Sequence, residues 1–160
     1  MNNYLNRIFC RKKLTFLLSR EEKNHINKRL QKITDTKGYS VKLTGKIKDE
    51  NQFKLTDKIT IGVYIQGGGD PAVLRGKFTE ESGNILLTIK VHGHFAFILG
   101  SILIPVFLIA TIISNYSELK VEAYFSFAFV LAFTFIMNLA GNFFKNRLLK
   151  KTLKELKLKE

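Results

Sequence analysis

Between Tyr39 and Val91 apolar side chains recur at every second position. Tyr39, Val41, Leu43, Gly45 and Ile47 alternate with Ser40, Lys42, Thr44, Lys46 and Lys48, the pattern of a strand with one dry and one wet face. Phe53 and Leu55 predict a second strand, Ile59 to Ile65 a third, Leu74 to Phe78 a fourth and Ile85 to Val91 a fifth. Turn-forming clusters divide them: Asp49-Glu50-Asn51, Thr56-Asp57, Gly67-Gly68-Gly69-Asp70-Pro71 and Glu81-Ser82-Gly83-Asn84. Links this short join antiparallel neighbours, so the pattern predicts a β-meander. Upstream, Leu14 to Leu18 reads as a short strand, favoured because a helix start follows at once, or Tyr4 to Leu18 reads as an amphipathic helix lying on the membrane.

Ahead of the meander the period changes. Ser19-Arg20-Glu21-Glu22 is a capping box, in which the Ser19 hydroxyl accepts from the Glu22 amide and Glu22 reaches back to Ser19. The helix it starts runs to about Ile33, and Asp35-Thr36-Lys37-Gly38 ends it. Ile26, Leu30 and Ile33 form one narrow apolar stripe, suited to cover the dry face of the sheet. His25 lies beside the stripe, at the surface. Within the meander, Leu43-Thr44-Gly45-Lys46-Ile47 is echoed by Leu74-Arg75-Gly76-Lys77-Phe78. A glycine inside each strand predicts a bulge or the close approach of another group.

The second half of the chain follows neither rhythm. Residues Phe95 to Ser114 and Ala123 to Phe144 contain no charged residue. At about 1.5 Å per residue each is long enough to cross a hydrocarbon layer of roughly 30 Å. Pro105 removes a backbone donor and frees the Ser101 carbonyl, which predicts a kink near that level. If the two spans lie antiparallel, Asn138 is level with Leu99 and Gly100 and within reach of Ser101. Gly100, Ser101, Pro105, Asn138 and Asn142 are therefore the expected interhelix contact residues, because buried asparagines need partners and small residues let backbones approach. A functional variant of this expectation has Asn138 and Asn142 lining a polar pathway in an oligomer. After the second run, Lys145 to Glu160 contains no Gly or Pro and is expected to continue the helix. Leu149, Leu153 and Leu156 form a stripe between cations, and Lys145, Arg147, Lys150, Lys151 and Lys154 suit anionic head groups at about 1 kcal/mol each. A membrane stop and a partner-binding helix are the two readings of this tail.

The expected architecture is α+β. An antiparallel β-meander with one N-terminal helix occupies residues 1–92 as a cytoplasmic domain. A two-helix transmembrane hairpin occupies 93–144, with spans at 95–114 and 123–144, and a basic amphipathic C-terminal helix occupies 145–160.

Charge adds an orientation. The chain carries 26 Lys and Arg against 13 Asp and Glu, a formal charge of +13, and its mean hydropathy of +0.02 averages a basic half with an apolar one. Of the basic residues only Lys120 lies between the two apolar runs. This is the positive-inside pattern, placing both termini in the cytoplasm and the loop outside. Arg11-Lys12-Lys13 interrupts the N-terminal apolar residues and no small-residue cleavage site follows, so no signal peptide is expected. Acids interleaved with the basic residues, and the lack of any nucleic-acid-binding motif, argue against DNA or RNA as partner. The expected partners are a bilayer with anionic head groups and either further copies of the chain or another membrane protein.

No constellation for catalysis emerges. Cys10 is the single cysteine, which excludes an intrachain disulfide and a cysteine zinc cluster. His92-Gly93-His94 places two imidazoles on one strand face but lacks further ligands nearby. Gly67-Gly68-Gly69 is followed by Asp70-Pro71 rather than a helix with Lys-Ser/Thr, so it reads as a hairpin loop and not a phosphate cradle. No cofactor, metal or catalytic residue is assigned, and the chain reads as non-enzymatic.

The layout of strand, Ser-capped helix, repeated Leu-x-Gly-Lys-apolar strands, two spans and a basic helix resembles small two-span membrane proteins of Bacteroidota that carry an N-terminal cytoplasmic α+β domain. The resemblance implies the layout and carries no activity or site residues. Two functions fit it: an inner-membrane accessory or sensory module whose cytoplasmic domain binds a partner or ligand, or an effector or immunity-type protein whose hairpins oligomerise to perturb the bilayer.

Overall fold

A computed structural model describes residues 11–35, 43–57, 70–81, 83–114 and 121–158, without the side chains of 95, 96, 98, 101, 112, 121–124 and 126. The elements run β1 (Arg11–Leu18), α1 (Arg20–Asp35), β2 (Leu43–Asp49), β3 (Gln52–Asp57), β4 (Ala72–Glu81), β5 (Asn84–Gly93), α2 (Phe95–Ser114) and α3 (Val121–Leu156). The fold is α+β, with a five-stranded antiparallel sheet in the order β1-β5-β4-β3-β2. Strands β2 to β5 form an antiparallel meander in which β3 pairs directly with β4, where the expected order had a further strand between them. The N-terminal strand lies against β5, and α1 carries the chain from that edge to the opposite one. The expected strand at Ile59–Ile65, and Tyr39 and Val41, lie outside the described residues.

Local chemistry accounts for the element ends. The Ser19 amide donates to Glu22 Oε2 at 2.7 Å and the Glu22 amide to Ser19 Oγ at 3.2 Å, so the capping box forms as read. These bonds hold the Glu22 carboxyl below its ordinary range. Gly83 takes a φ of 82° in the β4–β5 turn, a conformation glycine adopts without penalty.

The two repeated glycines share a purpose, because β2 and β4 flank β3 on either side. A Cβ on Gly76 would fall on the Phe53 ring, and one on Gly45 would fall on the Lys54 carbonyl and 2.7 Å from Leu55 Cδ2. Each glycine thus makes room for a neighbour on β3. The register shift in β2 falls instead between Ile47 and Asp49.

One face of the sheet is dry. It presents Phe53, Leu55, Leu74, Phe78, Ile85, Leu87, Ile89 and Val91, and α1 covers it with Ile26 and Leu30, all buried. The remaining cover comes from the C-terminal residues, which continue the preceding helix as expected and turn their leucine stripe to the sheet. Helix α3 runs unbroken for 36 residues, and its last turns lay Leu148, Leu149, Leu153 and Leu156 into the same core. The stripe was visible in the sequence, but its partner is the protein's own sheet. Burying a leucine contributes about 1.5–3 kcal/mol, which exceeds what the adjacent lysines gain from head groups.

The end of α3 is a closed motif. Lys157 has a φ of 56°, its amide donates to the Lys154 carbonyl at 3.2 Å, and the Leu158 amide donates to the Leu153 carbonyl at 2.9 Å. This is a Schellman ending with lysine in the usual glycine position, and Leu158 packs on the core beside it. Arg29 Nη1 donates to the Glu155 carbonyl at 3.1 Å, fastening α1 to the same helix end. Thr152, in the same buried stretch, is fully inaccessible and its hydroxyl has no hydrogen-bond partner among the described residues. Replacing Thr152 with valine keeps the shape and removes an unpaid desolvation, so it is expected to stabilise the domain by about 1 kcal/mol, read as a higher melting midpoint in detergent.

Candidate functional site at the junction of helix and sheet

Helix α3 is apolar above the sheet and amphipathic against it, and the change between the two is a ladder of polar side chains on one helix face. Asn142 Nδ2 donates to the Asn138 carbonyl at 3.0 Å and to Asn138 Oδ1 at 3.1 Å, and Lys145 Nζ donates to Asn142 Oδ1 at 2.6 Å. Lys145 is 5% exposed. A buried ammonium needs acceptors, and the asparagine supplies one from the preceding turn.

One turn further on, charge crosses from helix to sheet. Asp57 ends β3, and the alternation Phe53, Leu55, Asp57 directs its carboxylate into the dry face, where the side chain is 2% exposed. Lys151 Nζ donates to Oδ1 at 2.6 Å. Arg147 Nε stands 3.0 Å from Oδ2 as a charge contact without hydrogen-bond alignment. Arg147 and Lys151 are four residues apart, hence neighbours on one helix face, and both reach a single carboxylate. A buried ion pair adds little to stability against apolar packing, but leaving one partner alone is costly. The pair therefore fixes the rotation and height of α3 on the sheet. Asp57→Ala is expected to cost about 2 kcal/mol, discounted from the fully buried case because Arg147 and Lys151 retain some solvent access. Thermal unfolding of the full chain in mild detergent measures it.

The second connection is at the start of α2. The His94 amide donates to the Pro71 carbonyl at 2.9 Å and the Phe97 amide to the His94 carbonyl at 3.0 Å, so a single residue separates β5 from α2. His94 and Phe97 meet edge to face, and Phe97 stacks on Phe144 of α3 with ring centroids 5.8 Å apart. Three residues further along α2, a Cβ on Gly100 would lie 3.4 Å from Met137 Cε. Gly100 thus faces α3 at the level of Met137, while Asn138 and Asn142 bond along their own helix. The side chain of Ser101 lies outside the described residues, and Pro105 sits in the interior of α2. Of the cations expected at a head-group surface, Lys145 is buried, Arg147 and Lys151 are committed to Asp57, and Lys150 and Lys154 are exposed.

His92 points to the opposite face of the sheet from Val91. Burial first, then the charges of Arg75 and Arg11, hold its pKa below the ordinary 6.5. Protonation is therefore easier in the unfolded chain. The domain should keep its full stability above about pH 6.5 and lose part of it as pH falls toward the lowered value. In His92→Gln that acid-side loss should shrink, as followed by the melting midpoint between pH 7.5 and about pH 5. Among the described residues no group of three or more His, Cys, Asp or Glu converges on one point, and His25 is exposed on α1.

Comparison with protein-family models, with curated proteins and with solved structures finds no match to this chain. The junction must therefore be read from its own geometry. Asp57 was legible in sequence only as a turn residue. Extending the two-residue period from Phe53 through Leu55 would have placed it on the dry face, and the i, i+4 cations Arg147 and Lys151 were the complement to look for.

Proposed function

We propose that the chain is a non-enzymatic accessory or sensory module of the bacterial inner membrane. In this reading α2 and α3 cross the bilayer as a pair, both termini are cytoplasmic, and the sheet domain binds a partner or ligand. The observation that supports it most is helix α3 itself. Among the described residues, Phe127–Leu156 is the one helical stretch long and apolar enough to cross a membrane, and Phe125, Phe129, Phe135 and Phe143 stand more than half exposed on α3. Apolar surface of that extent marks contact with lipid or protein. The same helix then ends inside the sheet's core. A span that continues directly into a folded domain moves with it as one body, so a load on the sheet is felt in the membrane.

Maleimide labelling of intact cells tests the topology, in a Cys10→Ser background. Ser117→Cys should label from outside and Lys157→Cys only after permeabilisation. Labelling of Lys157→Cys from outside overturns the orientation. Expression of the chain should leave the membrane potential unchanged and a partner should co-purify; depolarisation abolished by Asn138→Leu would favour a membrane-perturbing effector instead.

A further inference from the structure

The face of the sheet opposite the core carries a line of positive charge that crosses every strand. The register places Lys46 opposite Lys54, Lys54 opposite Arg75, Arg75 opposite Lys90, and Lys90 opposite Lys13. All five are exposed, and among the described residues none has an ion-pair partner. Lys77, in the next row, joins Lys13, Lys54, Arg75 and Lys90 in lining a shallow groove along the line. Like charges directly opposite one another weaken a sheet, so five in one row oppose folding and need another reason.

Spacing and surroundings narrow what that reason is. Adjacent strands lie about 4.8 Å apart, so the row spans about 19 Å. Acids placed three and four residues apart on a helix have Cβ atoms about 5–6 Å apart, close to the spacing of the row. Among the described residues that line the groove only Phe53 is aromatic, and at 3% exposure its ring lies in the core, so bases find no exposed ring to stack on, unlike on the usual platforms for single-stranded nucleic acid. Helix α3 packs on the opposite face, so in the membrane-anchored reading this face is turned along the membrane plane and away from the head groups. A second copy offers no complement, because nowhere in the sequence do more than two acids fall at helical spacing.

We propose that the row Lys46, Lys54, Arg75, Lys90 and Lys13 is a docking surface for an acidic, carboxylate-rich helical segment of a neighbouring protein. The proposal rests on the reading of the chain as a membrane-anchored binding module and names the class of its partner.

The test uses the full chain in detergent micelles, so that it reports on the face whether or not the topology is correct; carbonate extraction of cell membranes reports on insertion separately. The probe is a fluorescent peptide of about 16 residues, long enough to span the row as a helix, with Glu at every third or fourth position among alanines. It should bind saturably, more tightly than a DNA duplex or RNA hairpin of equal charge, and weaken as salt rises. Lys54→Gln/Arg75→Gln should weaken binding about tenfold or more while raising the melting midpoint, since it removes a repulsion. Lys150→Gln/Lys154→Gln should leave binding within about twofold. No saturable binding, nucleic acid bound as tightly as the peptide, or equal loss in both double variants overturns the proposal.

Discussion

Ending the chain after Phe144 should unfold the sheet domain, although every strand and α1 remain. The truncation removes Leu148, Leu149, Leu153 and Leu156, all buried against the sheet. At about 1.5–3 kcal/mol each, their loss approaches the whole stability of a domain of this size, about 5–15 kcal/mol. It also leaves the Asp57 carboxylate facing the dry side without Arg147 or Lys151. Limited proteolysis of membranes carrying the truncated chain should cut within β3 to β5 at rates at which the full chain is resistant. A milder version separates packing from chain length: Leu148→Ala, at a fully buried position, should cost about 2–5 kcal/mol in thermal unfolding. Were the C-terminal turns bound only to lipid, neither change would touch the sheet.

The second large effect is expected from one methyl group. In Gly76→Ala the new Cβ takes the place of the Phe53 ring, which is 3% exposed and packs at 5.9 Å from the Phe78 ring. The aromatic side chain must leave its site or push β4 away from β3, at a cost of about 3 kcal/mol. Phe53→Leu alone also destabilises, but in the Gly76→Ala background it should be close to neutral because the smaller side chain admits the methyl. A double-mutant cycle on the melting midpoint measures that coupling. Additive effects would mean that the ring does not lie over the glycine.

How much of this was legible in the sequence depends on the range of each interaction. The capping box at Ser19–Glu22, the stripe Ile26 and Leu30, and the alternation through β4 and β5 are local patterns, and each appears in the fold as read. The close approach at Gly45 and Gly76 was also legible, because an unneeded glycine in a strand implies a neighbour, though the neighbour's identity was not. What escaped was the pairing of distant segments. Lysines beside Leu149, Leu153 and Leu156 look the same whether the leucines meet lipid or a sheet, and only the three-dimensional closure of the dry face decides. The edge position of β1 and the cation row share this property: the register that aligns Lys13, Lys90, Arg75, Lys54 and Lys46 joins strands up to about eighty residues apart.

In the proposed reading α3 joins membrane and sheet as one continuous helix. Amide hydrogen exchange of the full chain in lipid nanodiscs tests it most directly. The amides of residues 145–153 should be protected to the same degree as those of β4 and β5, and Asp57→Ala should lower their protection together with the sheet's. Exchange of 145–153 at the rate of an unfolded peptide, with β4 and β5 still protected, would contradict it.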